Sequence, residues 1–439
     1  MMADMLMKFY NTIERIFMKN INNLTIGFIG LGKLGLPVAV AIETKGHNVI
    51  GYYINPAVKE YINHKKIPYS EIYMDELLPK SNITFAEVSE VVKQSDIIFV
   101  PVQTPHDPLY EGCTRLPESR VDFNYDALVA AIKNLSEEVE KNGEEKIVVI
   151  ISTVLPGTVE KYIKPILSNK IKLCYNPFFI AMGTTIKDFL NPEFVLFGVD
   201  DPEAAKFVES FYATLHNKKV FKTSIKNAEL IKVAYNTFIG MKIVYANTMM
   251  EICHKIGANV DSVIDAIGLA DERLISTKYL RGGMGDGGGC HPRDNIAMSW
   301  LSKTLNLSHD YFEDLMIARE DQTEWLANLC IAENRKVCIL GKSFKPETNI
   351  QTGSPAILLA NILKEKGIEV IQTDPYTDGQ KVFNDTFATI DNNTVFFLGT
   401  QHDYFKTLTY PKGSIVIDPF RYMPNIDGVR IIKIGGENA

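Results

Sequence analysis

The stretch LTIGFIGLGKLGLPVAVAIETKGHNVIGYYINP, residues 24–56, decides the fold. Its first seven residues are apolar and rich in β-branched side chains, as in a buried strand. Gly30-Leu31-Gly32-Lys33-Leu34-Gly35 follows, then LPVAVAIETKGH with helical spacing, then a second apolar run, VIGYY. Strand, glycine turn, helix and strand form a βαβ unit. In G-x-G-x-x-G the first glycine permits the tight turn, the second lets a pyrophosphate approach the backbone, and the third lets helix pack on strand. The helix N-terminus adds N–H groups and a favourable dipole. Gly30, Gly32, Lys33, Leu34 and Gly35 are therefore read as a dinucleotide-binding turn. A site for NAD usually carries Asp or Glu at the end of the second strand, on the ribose 2′-hydroxyl. Here that end reads Gly51-Tyr52-Tyr53-Ile54-Asn55, with no acid. Asn55 is the candidate ribose partner. NAD is preferred, and NADP stays open because Tyr53 carries no charge and Lys59 is near.

Outward from this unit, IIFVPV (97–102), IVVII (147–151) and FVLFG (194–198) predict further strands with helices between. Alternation of this kind implies a parallel sheet covered on both faces. The fold class is α/β. Residues 1–22 read as an amphipathic extension and 23–215 as a Rossmann-type NAD domain. Residues 226–256 predict one helix about 45 Å long at about 1.5 Å per residue. They open a helical middle, 216–330. From 331 to 439, KVCILG, SPAILLANILKEKG, IEVIQTDP, TVFFLGT and SIVIDPF describe a second, smaller Rossmann-like domain.

The chain has 439 residues, with 46% hydrophobic and 23% charged, which excludes disordered, collagen-like and coiled-coil classes. A formal net charge of −7 gives no support to a nucleic-acid-coating protein. No apolar run is long enough to span a bilayer. The N-terminal stretch lacks a signal peptide's apolar core and has too few basic residues for a membrane-surface helix. Six scattered cysteines form neither a C-x-x-C pair nor a zinc spacing. Reduced thiols in a cytoplasmic protein, with no metal, are expected.

Three groups of residues carry chemistry. Lys232 and Asn236 are i and i+4 on the long helix, and an ammonium beside an amide can polarise an oxygen. The alternative is a solvated helix face. Six of the eight residues 282–289 are glycine, and Cys290-His291-Pro292-Arg293-Asp294 follows. Pro292 suits the first turn of a helix. Cys290 then sits at a helix start, where the dipole favours the reactive thiolate. Asp294 lies one turn on. Val102-Gln103-Thr104-Pro105 and Ser152-Thr153 follow predicted strands, at the edge where ligands bind in such sheets.

Together these residues resemble the UDP-glucose/GDP-mannose dehydrogenase family. The match runs collinearly from about 24 to about 420. It includes V-x-T-P at 102–105, S-T-V-x-P-G-T at 152–158 and A-E-L-I-K-x-x-x-N at 228–236. It continues with D-x-R at 271–273, G-G-x-C-x-P-x-D at 287–294 and G-x-x-F-K-P at 341–346. The resemblance implies oxidation of a nucleotide sugar's C6 alcohol to a carboxylate with two NAD⁺, through a thiohemiacetal and a thioester on Cys290. It implies that Lys232 and Asn236 stabilise oxyanions, that Asp294 assists water or proton traffic, and that Thr153 orders water near the cofactor. It further implies that Arg273 reaches a neighbouring subunit's sugar site, so that the protein is at least a homodimer formed through its helical middle. Gly287, Phe344 and Lys345 resemble nucleotide-sugar contacts, and Thr104 and Ser152 cofactor contacts.

The departures are chemical. The family's P-E-F-L-x-E-G reads Pro177-Phe178-Phe179-Ile180-Ala181-Met182-Gly183, so both glutamates are lost, including the general base of thioester hydrolysis. His291 is the candidate replacement, because an imidazole is poised near neutral pH. Thr352 stands where the family has an arginine. Three readings follow: a nucleotide-sugar 6-dehydrogenase with an altered substrate; a two-electron dehydrogenase that stops at aldehyde or ketone; and a non-catalytic nucleotide-sugar binder.

Overall fold

The computed structural model describes residues 20–69, 71–104, 121–272, 274–276, 282–285 and 291–436. The amphipathic extension predicted for 1–22 falls almost wholly outside them. The chain divides into two compact units, Met1–Gly240 and Met241–Ala439, with the boundary inside the long helix Ile225–Ile256. No described helix is long and apolar enough to cross a membrane.

The first unit is built on an eight-stranded sheet. Its strands are β1 (Thr25–Ile29), β2 (Asn48–Tyr52), β3 (Thr84–Phe85), β4 (Ile97–Val100), β5 (Lys146–Ile150), β6 (Ile171–Tyr175), β7 (Val195–Val199) and β8 (Val220–Ser224). Their spatial order is β3-β2-β1-β4-β5-β6-β7-β8. The order reverses direction between β1 and β4, the switch point where α/β sheets bind ligands beyond their carboxyl ends. The strands are almost wholly apolar because both faces are covered. Ile26, Phe28, Phe99 and Val149 pack on one side with helices Gly35–Glu43 and Pro202–Leu215. Ile98, Val100, Val148 and Ile150 pack on the other with helices Val88–Gln94 and Asp126–Asn142.

The expectation of a wholly parallel sheet is corrected at one joint. β6 and β7 pair antiparallel, over Cys174↔Val199 and Tyr175↔Gly198, while β7 and β8 run parallel to each other. β3, β6 and β8 were also not predicted. β3 has two residues, and the mixed polar and apolar runs IKLCY and VFKTS lack a clean strand period.

The second unit contains helices Val260–Gly268, His291–Leu305 and Tyr311–Ala332, and a five-stranded parallel sheet. The sheet comprises β9 (Lys336–Leu340), β10 (Val370–Thr373), β11 (Thr394–Leu398), β12 (Ile415–Asp418) and β13 (Arg430–Lys433), in the order β10-β9-β11-β12-β13. Helix Pro355–Glu365 covers one face through Leu359 and Leu363. Its start is fixed by Ser354, which accepts the N–H of Ala356, with Pro355 in the first turn. Phe383, Phe405 and Tyr410 cover the other face. The predicted α/β architecture, with a helical segment between two Rossmann-like sheets, is what the chain adopts.

Candidate active site

Gly30 directly follows β1, and its φ of +130° is a backbone conformation that disfavours a side chain. A Cβ on Gly35 would lie 1.9 Å from the carbonyl oxygen of Gly30, so the helix can pack on the turn only because residue 35 is bare. These two constraints place Gly32, Lys33 and Leu34 along one wall of a cleft of about 750 Å³.

The other walls come from the ends of β4 and β5. Gln103, Thr104, Ser152 and Thr153 line the cleft. The two loops are bonded to each other: Thr104 Oγ1 donates to the carbonyl of Thr153 at 2.6 Å, and Ser152 Oγ donates to that of Val102 at 2.6 Å. Thr104 and Ser152 thus shape the wall through hydroxyls already committed to backbone. Ala127, Ala130, Ala131 and Asn134 complete it from helix Asp126–Asn142. Phe178, Ile180 and Met182 line it from the extended run after β6, so two of the cleft's residues stand where the family pattern has glutamates.

Lys232 lines the same cleft and is buried, at 8% exposure. Its Nζ lies 3.5 Å from Asn236 Oδ1 and 5.1 Å from the centroid of the Phe179 ring. Burial pushes its pKa below that of an ordinary lysine. An ammonium held here by one long hydrogen bond and one ring face has donors left for a ligand oxygen. Its position depends on Glu229, the acid of the A-E-L-I-K-x-x-x-N run. Glu229 is fully buried and accepts the N–H groups of Gly157 and Val159 at 2.5 and 2.8 Å. The helix carrying Lys232 is thereby locked to the loop carrying Thr153.

Other predicted residues lie elsewhere. Gly35 is buried beneath the turn rather than lining the cleft. Asn55 does not line it either: its Oδ1 accepts the N–H of Ala57 at 3.0 Å, at the start of a helix. Asn236 is exposed, one turn beyond Lys232. Cys290, Gly287, Arg273 and Pro105 lie outside the described residues. His291 opens helix His291–Leu305 and Asp294 belongs to it, but neither side chain is among those described. Four other cysteines, Cys174, Cys253, Cys330 and Cys338, are buried free thiols. Burial pushes the Cys174 and Cys330 thiols up to about 12, which removes them as nucleophiles.

Phe344 and Lys345 belong to the second unit, on the loop after β9. That loop is pinned by Asp374, which is fully buried at the end of β10. Asp374 accepts the N–H groups of Lys342 at 2.7 Å and Ser343 at 3.1 Å, and lies 3.1 Å from His402 Nε2. The N–H of Glu347 donates to His402 Nδ1 at 3.0 Å, so the proton belongs on Nε2, facing Asp374. Burial alone would raise the Asp374 carboxyl. The hydrogen bonds from His402, Lys342, Ser343 and Tyr376 hold it well below the usual carboxylate range.

Comparison with known proteins decides the family. Residues 24–216 match the NAD-binding domain of the UDP-glucose/GDP-mannose dehydrogenase family, and residues 226–318 match its central domain. The chain belongs to that family. Among the family's proteins it is 28% identical, over 90% of its length and 88% of the relative's, to UDP-glucose 6-dehydrogenase TuaD of Bacillus subtilis. It is 26% identical, over 92% of its length and 97% of the relative's, to GDP-mannose 6-dehydrogenase of Pseudomonas savastanoi. A ternary complex of GDP-mannose dehydrogenase from Pseudomonas aeruginosa superposes with a TM-score of 0.83 at 25% identity, over 92% of this chain and 99% of that one.

As a member of this dehydrogenase family the protein is an NAD-dependent oxidoreductase. The cleft fits the cofactor on its own geometry: a glycine turn closed to side chains at Gly30 and Gly35, a helix face of small residues, and about 750 Å³ of space at the sheet's switch point.

Proposed function

We propose that the protein oxidises the C6 alcohol of a nucleotide sugar to the uronic acid in two steps, with Cys290 as the nucleophile. The observation that carries this reading is Lys232, a buried ammonium in the cofactor cleft with donors to spare. NAD, when bound, accepts a hydride in each step. In the first step the alcohol loses that hydride and a proton, and Lys232 polarises the oxygen as it becomes a carbonyl. The Cys290 thiolate then adds to the aldehyde carbon, and Lys232 with Asn236 steadies the resulting oxyanion. After the second oxidation the carbon is a thioester. Water adds to it and the thiolate leaves, giving the carboxylate and regenerating Cys290.

Thr153 orders water at the cleft wall, and Asp294 with His291 takes the proton from the attacking water. Phe344 and Lys345, together with Gly287, hold the nucleotide sugar. Arg273 completes a neighbouring subunit's site, which makes the enzyme a homo-oligomer. The test counts NADH per substrate consumed and identifies the product by mass, over UDP-, GDP-, CDP- and dTDP-sugars. Two NADH and an acid are expected, and Cys290→Ser should form no acid. Full acid production by that variant would remove the thioester from the mechanism.

A second reading, two-electron oxidation that stops at the aldehyde or a ketone, is favoured by one specific observation. Phe178 and Met182 put apolar groups on the cleft wall, and no carboxylate lines it among the described residues. One NADH per substrate would establish it.

A further inference from the structure

The end of β2 is where a dinucleotide-binding fold chooses between NAD and NADP. A carboxylate there accepts the ribose 2′-hydroxyl and repels a 2′-phosphate. In this protein the strand ends at Tyr52, and the next residue, Tyr53, turns its ring edge onto the glycine turn. A Cβ built on Gly32 would lie 3.2 Å from the Tyr53 hydroxyl oxygen and 3.4 Å from the ring carbon that bears it. Gly32 is the glycine at which pyrophosphate approaches the backbone. The acid's place beside the turn is thus taken by a neutral phenol that can donate or accept.

The rest of the cleft agrees in charge. Among its described lining residues the charged ones are Lys33 and Lys232, with neither Asp nor Glu. Lys33, which immediately follows Gly32, makes no ion pair with a described carboxylate. The carboxylate of one buried acid of the first unit, Glu71, is committed elsewhere. Glu71, buried at 7% exposure, accepts the N–H of Gly183 at 3.0 Å and both the N–H and hydroxyl of Thr185 at 2.7 and 2.8 Å. Asn55, the other residue at the strand end that could bond a ribose, caps its own turn at Ala57.

We infer that this cleft lacks the element that excludes NADP, so that the enzyme binds and reduces NADP⁺ as well as NAD⁺, with Tyr53 as the residue that leaves the choice open. The reaction balances as it does with NAD. The alcohol carbon gives up two electrons as hydride to the nicotinamide, the hydroxyl proton goes to solvent, and the 2′-phosphate takes no part in bond making. The inference needs no particular sugar, so it can be tested apart from the substrate reading above.

The experiment is calorimetric titration of the full chain with NAD⁺ and with NADP⁺, in the absence of nucleotide sugar. Wild type, Tyr53→Asp and Tyr53→Phe are compared, with reduction of both cofactors measured alongside once a substrate is known. In wild type the dissociation constant for NADP⁺ should fall within about tenfold of that for NAD⁺. In Tyr53→Asp the ratio of the two constants should rise by about tenfold or more, because a carboxylate is set against a phosphate. In Tyr53→Phe, where no charge is introduced, it should move by less than about threefold. Rejection of NADP⁺ by wild type beyond about a hundredfold would overturn the proposal, as would a ratio that Asp and Phe change equally. Should Tyr53→Asp not fold, Lys33→Glu places a carboxylate one residue beyond Gly32. The same rise in the ratio is expected there, and its absence counts against the proposal.

Discussion

Glu229 accepts the backbone N–H of Val159 at 2.8 Å from a fully buried position on the long helix, three residues before Lys232. With its other oxygen it takes the N–H of Gly157. A helix and a strand-end loop that are far apart in sequence therefore meet through one carboxylate, and both carry residues of the cleft.

Replacing Glu229 by Gln leaves one carbonyl oxygen for two donors and turns an amide N–H₂ toward a backbone N–H. The variant should lose about 1–3 kcal/mol, the usual penalty for an unsatisfied buried group. Burial raises the Glu229 carboxyl above the usual value, against the pull of the two N–H groups. Its titration therefore favours the fold most below the usual glutamate range, and that share is lost as pH rises through the raised value. The stability gap between wild type and Glu229→Gln should narrow as pH rises, as read from urea midpoints at a series of pH values. A gap that widens would contradict this account.

Lys232→Met removes the ammonium and should lower kcat by about a hundredfold or more, the size of a lost oxyanion donor. Because burial lowers the Lys232 pKa, activity that requires its proton should fall on the alkaline side, at a pH below that of an ordinary lysine. A guanidinium does not titrate there. Lys232→Arg should therefore lose the alkaline limb along with part of the rate, as a pH–rate profile would reveal.

Gly35→Ala should be among the most damaging single-methyl changes in the first unit. The added carbon meets a backbone carbonyl at 1.9 Å, and backbone cannot rotate away. A loss of about 3 kcal/mol or more is expected, with the thermal upshift by NAD abolished. Differential scanning fluorimetry with and without NAD measures both.

Asp374→Asn should unsettle the loop that carries Phe344 and Lys345. The carboxylate's hydrogen bonds hold its pKa low, so its stabilisation is full above the usual aspartate range and is lost as pH falls through that range and below. The variant should be destabilised by several kcal/mol near neutral pH and approach wild type in acid. KM for the nucleotide sugar should rise more than kcat falls.

Much of this was legible in the chain, and particular residues show why. Gly30, Gly35 and the apolar run before them announce a βαβ unit because their backbone demands are local. The helix Ile225–Ile256 was equally plain, being a long periodic run without proline. What escaped was pairing across distance. Glu229 and Glu71 look like surface acids in sequence, and only the fold brings each to the bare N–H groups of another segment. One signal was readable and missed: Ala127, Ala130, Ala131 and Asn134 fall at i, i+3, i+4 and i+7, a helical stripe too small to be core and suited to a flat ligand. Asn55 shows the reverse error, a polar residue at the right place in sequence whose side chain is spent on its own turn.

The reversed joint between β6 and β7 has a consequence for reach. The two strands meet only at their tips, Cys174 with Val199 and Tyr175 with Gly198, and Val199 in turn is level with Ser224 at the end of β8. The last strand of the sheet therefore finishes level with the carboxyl end of β6, one strand away, on the rim where the cofactor cleft opens. Ile225 starts the long helix there, with no connecting loop. Had the last two strands followed the direction of the first six, β8 would still end on that rim, but β7 and β8 would stand alongside the sheet instead of projecting past it. The overhang brings chain down onto the cleft from outside, so the helix enters the site in its first two turns, and Lys232 arrives on rigid backbone.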